Sequence, residues 1–569
     1  MELGQAPRVE AERAEHAEDA PVPASGAPAA RAAKGGAGAL ALAVSACSSG
    51  GGGSGSGGVV AVTPTPTPTA ASITTAQASR FLAQATMGAT SADIADVQAR
   101  GYAAWIDAEF AKTRSTSLWD WLVSKGYSDS GFINGTAGFD NAMWSQLIGA
   151  GDQLRQRVGM ALLELMVVGI DGVNLNWRQF AMAAYVDVLM DNAFGNFRTL
   201  MDRVTTNAAM ASFLTFLGNR KANASTGSVP DENYARELMQ LFTIGLYQLN
   251  MDGSQALSGG KPVETYAPAD VSGLARIFTG LSLDSTDGTT PDRYRRPLAM
   301  NANLHETGAS TFLGTTVAAG TAGMDAIKAA LDTIFAHRNV APFVSKQLIQ
   351  RLVTSNPSAA YVGRVAAAFA NNGSGVRGDM QAVIRAILLD SEARAEPAGT
   401  SGGKLREPVM RLTGWARGVG ALSTSGNWTT GDTSSATNRL AQSMGRSGSV
   451  FNFFRPGYTP PNTPIANAGL VAPELQITNE ISTVGYVNYM QSVVGNATDL
   501  RTDYAELVAL AGDSQALIDR VNLVIAANQV SAATIASIKA AVDSSTVTGN
   551  RIAIAILLVM ASPEYLTLK

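Results

Sequence analysis

"SNPSAAYVGRVAAAFANNGSGVRGDMQAVIRAILLD", residues 355 to 390, decides the fold class. Asn356 reads as a helix cap and Pro357 as the first helical position, where a missing N–H costs nothing. Val362, Val365 and Phe369 then return at helical spacing as one apolar stripe, and Gly373 ends the segment. "NNGSGVRGD" is a stop and restart, a structural turn before it is an anion nest, and a second helix follows over 377 to 390. The same grammar appears earlier in "TSADIADVQARG", where Thr90 or Ser91 caps, Ile94 and Val97 share a face, and Gly101 stops the helix. Helical patterns also fill 152 to 169, 177 to 192, 323 to 336, 404 to 420, 472 to 496, 503 to 543 and 550 to 561. Strand-like alternation is scarce. The spacing therefore predicts a mainly α protein, with at most a short β-hairpin in the Gly- and Thr-rich stretch 283 to 316. No internal repeat of about 20 to 50 residues is visible, which disfavours a solenoid.

The chain has 569 residues, and single cores stop growing near about 250 to 300, so two or three packed subdomains are expected. Joints are expected near 251 to 267, 395 to 403 and 455 to 472, where Gly, Pro and Asn cluster between helices. Apolar residues make up 46% and charged ones 15%, against a usual charged share of about 25%, so most of the chain can bury itself. A net charge of -4 without any basic stripe excludes a nucleic-acid partner.

Residues 1 to 46 read as a leader outside that globule. Positions 1 to 34 lack any periodicity, and "GGAGALALAVSAC" then forms an apolar run of signal-peptide length, too short to span a bilayer. It resembles a bacterial lipoprotein signal: Val44, Ser45 and Ala46 before Cys47 fit the lipobox, in which the cysteine thiol is acylated. Cys47 is the only cysteine of the chain. The run is diluted by glycine and its leader is acidic, both departures from that pattern, and a secreted or periplasmic soluble protein is the alternative. Residues 47 to 74, "SSGGGGSGSGG" followed by "TPTPTPT", have the composition of a coil and an extended spacer, a tether. By similarity to lipoprotein sorting, Ser48 points to the outer membrane. The membrane is then met through the lipid anchor alone, since "IAIAILLVMA" at 552 to 561 reads as a buried helix.

Within the helical domain, 75 to 565, charge concentrates in two short blocks. In "PDENYARELMQLFTIGLYQLNMDG", residues 230 to 253, Asp231 reads as the cap and Glu232 lies in the first turn, where the helix dipole favours an anion. Glu232 and Arg236 stand four apart, Asn233, Glu237 and Gln240 form a polar face, and Leu238, Leu241, Phe242 and Gly245 form the buried side. The second block is Lys404, Arg406 and Glu407. In so charge-poor a chain the two blocks are expected to pack together, with Asn219 and Arg220 nearby. A network of structural ion pairs and an acid–base centre both crowd carboxylates in this way.

The catalytic candidates are Asp231, Glu237 and His305, the last in an irregular loop, whereas His337 is expected to close one helix and order the turn into the next. With His305 and His337 the only histidines of the domain, a three-imidazole zinc site is impossible, and "HETGA" lacks the second histidine of a metalloprotease helix. "DSTDGTTPD" has the wrong spacing for a calcium loop. No nucleophile elbow, phosphate loop or dinucleotide fingerprint occurs, so neither metal nor cofactor is expected. An aromatic share of 7% is thin for a sugar-stacking groove, although exposed Trp428 and Tyr458 would suffice for one.

"GNRKANASTGSVPDENYARELMQLFTIGLYQLNMDG", "TYAPADVSGLARIFTG", "GKLREPVMRL" and "SVFNFFRPGY", with the long block from 337 to 390, together resemble the bacterial family domain of unknown function 1800 over about residues 78 to 565. The resemblance implies an exported helical protein and no settled activity. Because members are often encoded beside a second exported family, domain of unknown function 1501, it also implies a partner from that family. Relatives carry a histidine where this chain has Phe242 and a lysine near Ser310, so a centre built on those positions is incomplete here. Two classes of function follow: a lipid-anchored binding or assembly protein, or an envelope hydrolase or transferase using a carboxylate acid–base with His305.

Overall fold

Helices begin where polar side chains meet amides that have no partner in the first turn. In the computed structural model, which describes residues 72–396 and 402–569, Thr74 and Gln77 close a capping box on Thr75–Ala85, and Thr90 and Asp93 close another on Ser91–Arg100. The leader, Cys47 and most of the tether lie outside the described residues.

The stretch that sets the class forms its two helices, with one correction at the cap. Ser358, not Asn356, accepts the Tyr361 amide and opens Ala359–Ala370. Asn356 is taken by the backbone of Val471, giving and receiving a hydrogen bond of 2.9 Å each. Val362, Val365 and Phe369 are buried, and Asp379 caps the following helix, Met380–Leu389.

Longer helical patterns divide at internal caps. The 503 to 543 segment becomes Ala505–Leu510, Ser514–Ala526 and Ala532–Asp543, with Asp513 and Ser531 capping the second and third. The 472 to 496 segment becomes a tight turn, Pro473–Ile477, and the helix Glu480–Val494. The 404 to 420 segment opens as a strand, Lys404–Leu405, before Pro408–Gly418.

Gln153–Leu165 and Arg178–Asp191 are buried on nearly every side, which places them at the centre. Thr75–Ala85, Phe139–Gly149 and Val340–Leu352 pack around the first of them. The last of these positions the site. Its Val344, Leu348, Ile349 and Leu352 face the core, while Phe343, Lys346 and Gln347 turn outward toward loops.

Strands among the described residues form five antiparallel pairs of two or three residues. The hairpin expected in 283 to 316 is Ser310–Phe312 with Thr315–Val317. It turns at Leu313 and Gly314, with φ of 46° and 73°, as the twist of a two-residue hairpin loop demands. The other pairs include Lys404–Leu405 with Thr567–Leu568, which closes the far end of the chain onto the second charged block. Pairings this short leave no alternation to read. Ala70–Lys569 form one compact unit, on which 251 to 267 carries a hairpin and 455 to 472 is mostly loop. None of the described helices is long and apolar enough to cross a membrane.

Candidate functional site

The first charged block is held locally. Asp231 accepts the Thr215 hydroxyl at 2.9 Å and the Asn233 amide at 2.8 Å, so its carboxylate caps the helix Asn233–Glu237 from just outside it. Asn219 brackets the same residue, donating to its carbonyl at 3.1 Å and accepting its N–H at 3.0 Å. Arg220 is exposed beside it and, among the described residues, bonds only through its backbone N–H to Asn219 Oδ1. Glu232 accepts from Ser272 and pairs with Arg236 at 3.1 Å, an exposed contact of small energetic weight.

Glu237 differs from these. It turns inward, its Oε2 has no hydrogen-bond partner among the described residues, and burial raises its pKa against the pull of Arg236. Directly after it the helix widens to π geometry over Leu238–Thr243, where the amides of Ile244 and Gly245 both reach Met239 O at 2.9 Å. Phe242 in that turn is wholly buried, so the position serves packing.

His305 orders its own loop. Its Nδ1 lies 2.9 Å from Thr279 O, and the Thr279 hydroxyl accepts the Glu306 amide at 2.8 Å. The space beside the ring, bounded by Arg276, Glu306 and Ser310, is about 10 Å³, too small to hold a substrate. Ser310 donates to Gly273 O at 2.6 Å. The Asp231 and His305 loops do adjoin, since Gly280 donates to Asn219 O at 2.8 Å and Lys221 to Leu304 O at 2.7 Å. Yet no hydrogen bond links Asp231, Glu237 and His305 to one another among the described residues. His337 closes Gly323–Ala336, and its Nδ1 accepts the Asn339 amide at 3.1 Å. Burial, with Arg338 and Arg377 adding to it, lowers its pKa.

The second block corrects the expectation that both blocks share one centre. Lys404 Nζ donates to Arg351 O at 2.8 Å and to Glu407 at 3.0 Å, and it forms an ion pair with Glu474 at 3.1 Å. Glu407 also accepts from Gln442 at 2.9 Å. Arg157 donates to the same Arg351 carbonyl, and Arg351 donates to Glu164 O at 2.9 Å. Arg406 meets no carboxylate among the described residues. It donates to Tyr565 O at 2.8 Å and lies over the Tyr565 ring at 5.0 Å, while Arg411 lies over Tyr486 at 4.8 Å. No ion pair or hydrogen bond joins 231–237 to 404–407, because each block finds its counter-groups nearer at hand.

Arg157, Glu164, Arg351 and Glu474 complete this network and escaped the sequence reading. Glu164 and Glu474 are each a lone charge in an apolar run, "MALLELMVV" and "LVAPELQI", and that isolation is the signal that marks them, whereas Arg157 and Arg351 stand among other polar residues in "QLRQR" and "KQLIQR" and carry no such signal. Lys404, Glu407 and Glu474 are respectively 4%, 1% and 2% exposed, so no solute reaches them. Burial and the nearby Glu407 raise the Glu164 pKa well above the carboxylate range. At Glu407 burial also works upward, but Lys404, a hydrogen bond with Glu164, Arg157 and Gln442 outweigh it and hold the group low. The pKa values of two adjoining carboxyls are thus driven apart, Glu164 upward and Glu407 downward. Among the described residues no group of three His, Cys, Asp or Glu side chains is placed to hold a metal ion.

A cleft of about 510 Å³ opens on the outer side of the same Val340–Leu352 helix. Phe343, Lys346, Gln347 and Gln350 form its floor, and the 249–255 and 456–471 loops form its walls. Asn339, fully buried, fixes the first wall by donating to Ile244 O and Tyr247 O at 2.8 Å each and accepting the Leu249 amide at 2.9 Å. Asn356 fixes the second through Val471. Tyr458 follows the lining residues Pro456 and Gly457, whereas Trp428 packs on Gly149 away from it.

A family model described as Protein of unknown function (DUF1800) matches residues 80–567. No curated protein and no solved structure matches the chain.

Proposed function

The chain belongs to the DUF1800 family, and from that premise we propose an exported, lipid-anchored protein of the cell envelope that binds or assembles and does not turn over a substrate. The observation that carries this reading is the burial of the ionic cluster: Lys404 pairs with Glu407 and Glu474 inside the core, where no substrate reaches them. An acid–base centre needs the reverse, a charged group facing a space that substrate can enter. The anchor rests on the lipobox-like run ending at Cys47 and on the tether after it, with Ser48 favouring the outer membrane and a soluble periplasmic form as the competing location. The partner is an exported protein of the domain of unknown function 1501 family.

Growth on an alkyne-tagged fatty acid tests the anchor: the wild type takes up label and sediments with membranes, and Cys47→Ser does neither. Equal labelling of both would overturn the anchor. For assembly, the full chain and the adjacently encoded 1501-family protein are expected to co-elute at fixed stoichiometry, and separate elution would remove that partner.

Glu237 supports a second reading, a hydrolase or transferase, because a buried, unpartnered carboxyl with a raised pKa suits a general acid. His305 has no part in it, being buried beside a space of about 10 Å³ that no substrate enters. Turnover of any ester or glycoside that vanishes in Glu237→Gln while folding persists would favour this reading over binding.

A further inference from the structure

We propose that the cleft over the Val340–Leu352 helix binds an acidic saccharide, with Gln347 and Gln350 reading two adjacent ring hydroxyls and Lys346 the acid. The argument lies in which half of each side chain is already committed. Gln347 Oε1 is held by Arg351, so its amide N–H₂ is the half left over. Gln350 Nε2 is held by Ser355 O at 2.9 Å and Pro456 O at 3.4 Å, so its Oε1 is the half left over. Neither free atom makes a hydrogen bond within the described residues, and neither is sealed from solvent.

The two residues stand three apart on one helix and so project from the same face. They offer one donor and one acceptor side by side, in fixed order. Two adjacent hydroxyls meet that pair fully, one accepting and its neighbour donating. A lone carbonyl or a lone N–H satisfies one half and strands the other, at the cost of a desolvated polar group, and an uncharged peptide residue that offers both brings no acid for Lys346.

The rest of the lining fits the same ligand. Lys346 is the only ionisable residue among the lining side chains, and it is exposed, so the cleft attracts one negative charge and has no carboxylate to hold a cation. Phe343, Pro357 and Leu470 supply apolar surface for the C–H face of a sugar ring. A volume of about 510 Å³ suits a short oligosaccharide, within the usual range of about 300 to 1,000 Å³ for small-molecule sites.

This inference is independent of the anchor and of the protein partner, and its test is separate from theirs. The full chain is applied to an array of neutral and uronic-acid oligosaccharides, with a tetra-alanine peptide as control, and hits are measured by calorimetry. A uronic-acid oligosaccharide is expected to bind, and Lys346→Met to weaken it about tenfold while leaving neutral sugars unaffected. Gln347→Leu is expected to weaken acidic and neutral sugars alike by about tenfold. Lys346 is exposed and makes no ion pair or hydrogen bond among the described residues, so its variant folds even if the glutamine variant does not. Binding of no saccharide, binding indifferent to Lys346→Met, or binding of the peptide in preference would each overturn the proposal.

Discussion

Lys404 is hydrogen-bonded to Arg351 O and Glu407 and paired with Glu474 inside the core. A buried ammonium so placed tolerates the loss of one partner poorly, because the remaining groups cannot follow it into water. Glu407→Gln is therefore expected to lower unfolding free energy at neutral pH by about 3 kcal/mol. Glu164→Gln should differ, since the raised pKa of Glu164 favours its protonated form and a neutral amide has the same shape, so its cost is expected to stay below about 1 kcal/mol. Denaturant titration of both variants checks the asymmetry, and equal losses would show Glu164 to be ionised. The pH dependence has opposite signs at the two residues. Glu407 is depressed on folding, so its stabilisation is present above its unfolded pKa and fades as pH falls through the folded one. Glu164 is raised, so its contribution is present at low pH and is lost as pH rises toward its folded pKa; Glu164→Gln should flatten that decline. The charges at 404 to 407 were legible from sequence because they stand together. Their partners were not, since an isolated glutamate in an apolar run names no counter-ion.

Helices were legible where cap, stripe and stop agreed, as at 91 to 100, and from the apolar stripe alone at 323 to 336, whose N-cap Ala322 makes no side-chain hydrogen bond. Errors fell on the join between elements: Ser358 replaces Asn356 as a cap because Asn356 is occupied by Val471, a contact no local pattern contains. The β-pairs are too short to show a period and depend on close approach instead. Gly273 illustrates the dependence. A Cβ there would lie 2.0 Å from Thr311 O, so the helix Pro268–Ile277 and the Ser310–Phe312 strand are packed backbone to backbone. Gly273→Ala should therefore cost about 1 to 3 kcal/mol despite alanine's better helix propensity. The damage should be local at first, with faster amide exchange in 305 to 317 before global unfolding. Mass-spectrometric exchange showing no change in that segment would contradict the packing.

At the scale of the whole molecule, chain closure ties distant segments to one core. The strand Thr567–Leu568 pairs with Lys404–Leu405, Arg406 donates its backbone N–H to Leu566 O at 2.7 Å, and Tyr565 lies buried between Arg406 and Arg411. The network beneath them draws Arg157 and Glu164 from the central helix, so the last residues and the first third of the domain share one set of contacts. The saccharide cleft has the same origin: Gln350 and Pro456, 106 residues apart, make its corner, which is why no single stretch of sequence announced it. Ala70–Lys569 should accordingly melt as one cooperative body. Tyr565→Leu keeps the site filled but removes the ring from Arg406, an interaction worth about 2 kcal/mol where desolvated. Five of the seven tryptophans, at 105, 119, 121, 144 and 177, weight the fluorescence toward the opposite end of the sequence, and replacing Trp415 and Trp428 by Phe in both proteins compared confines it there. If closure couples the ends, their fluorescence and the far-ultraviolet helix signal shift down together in the variant. A fluorescence transition that stays in place while the helix signal splits would divide the unit in two.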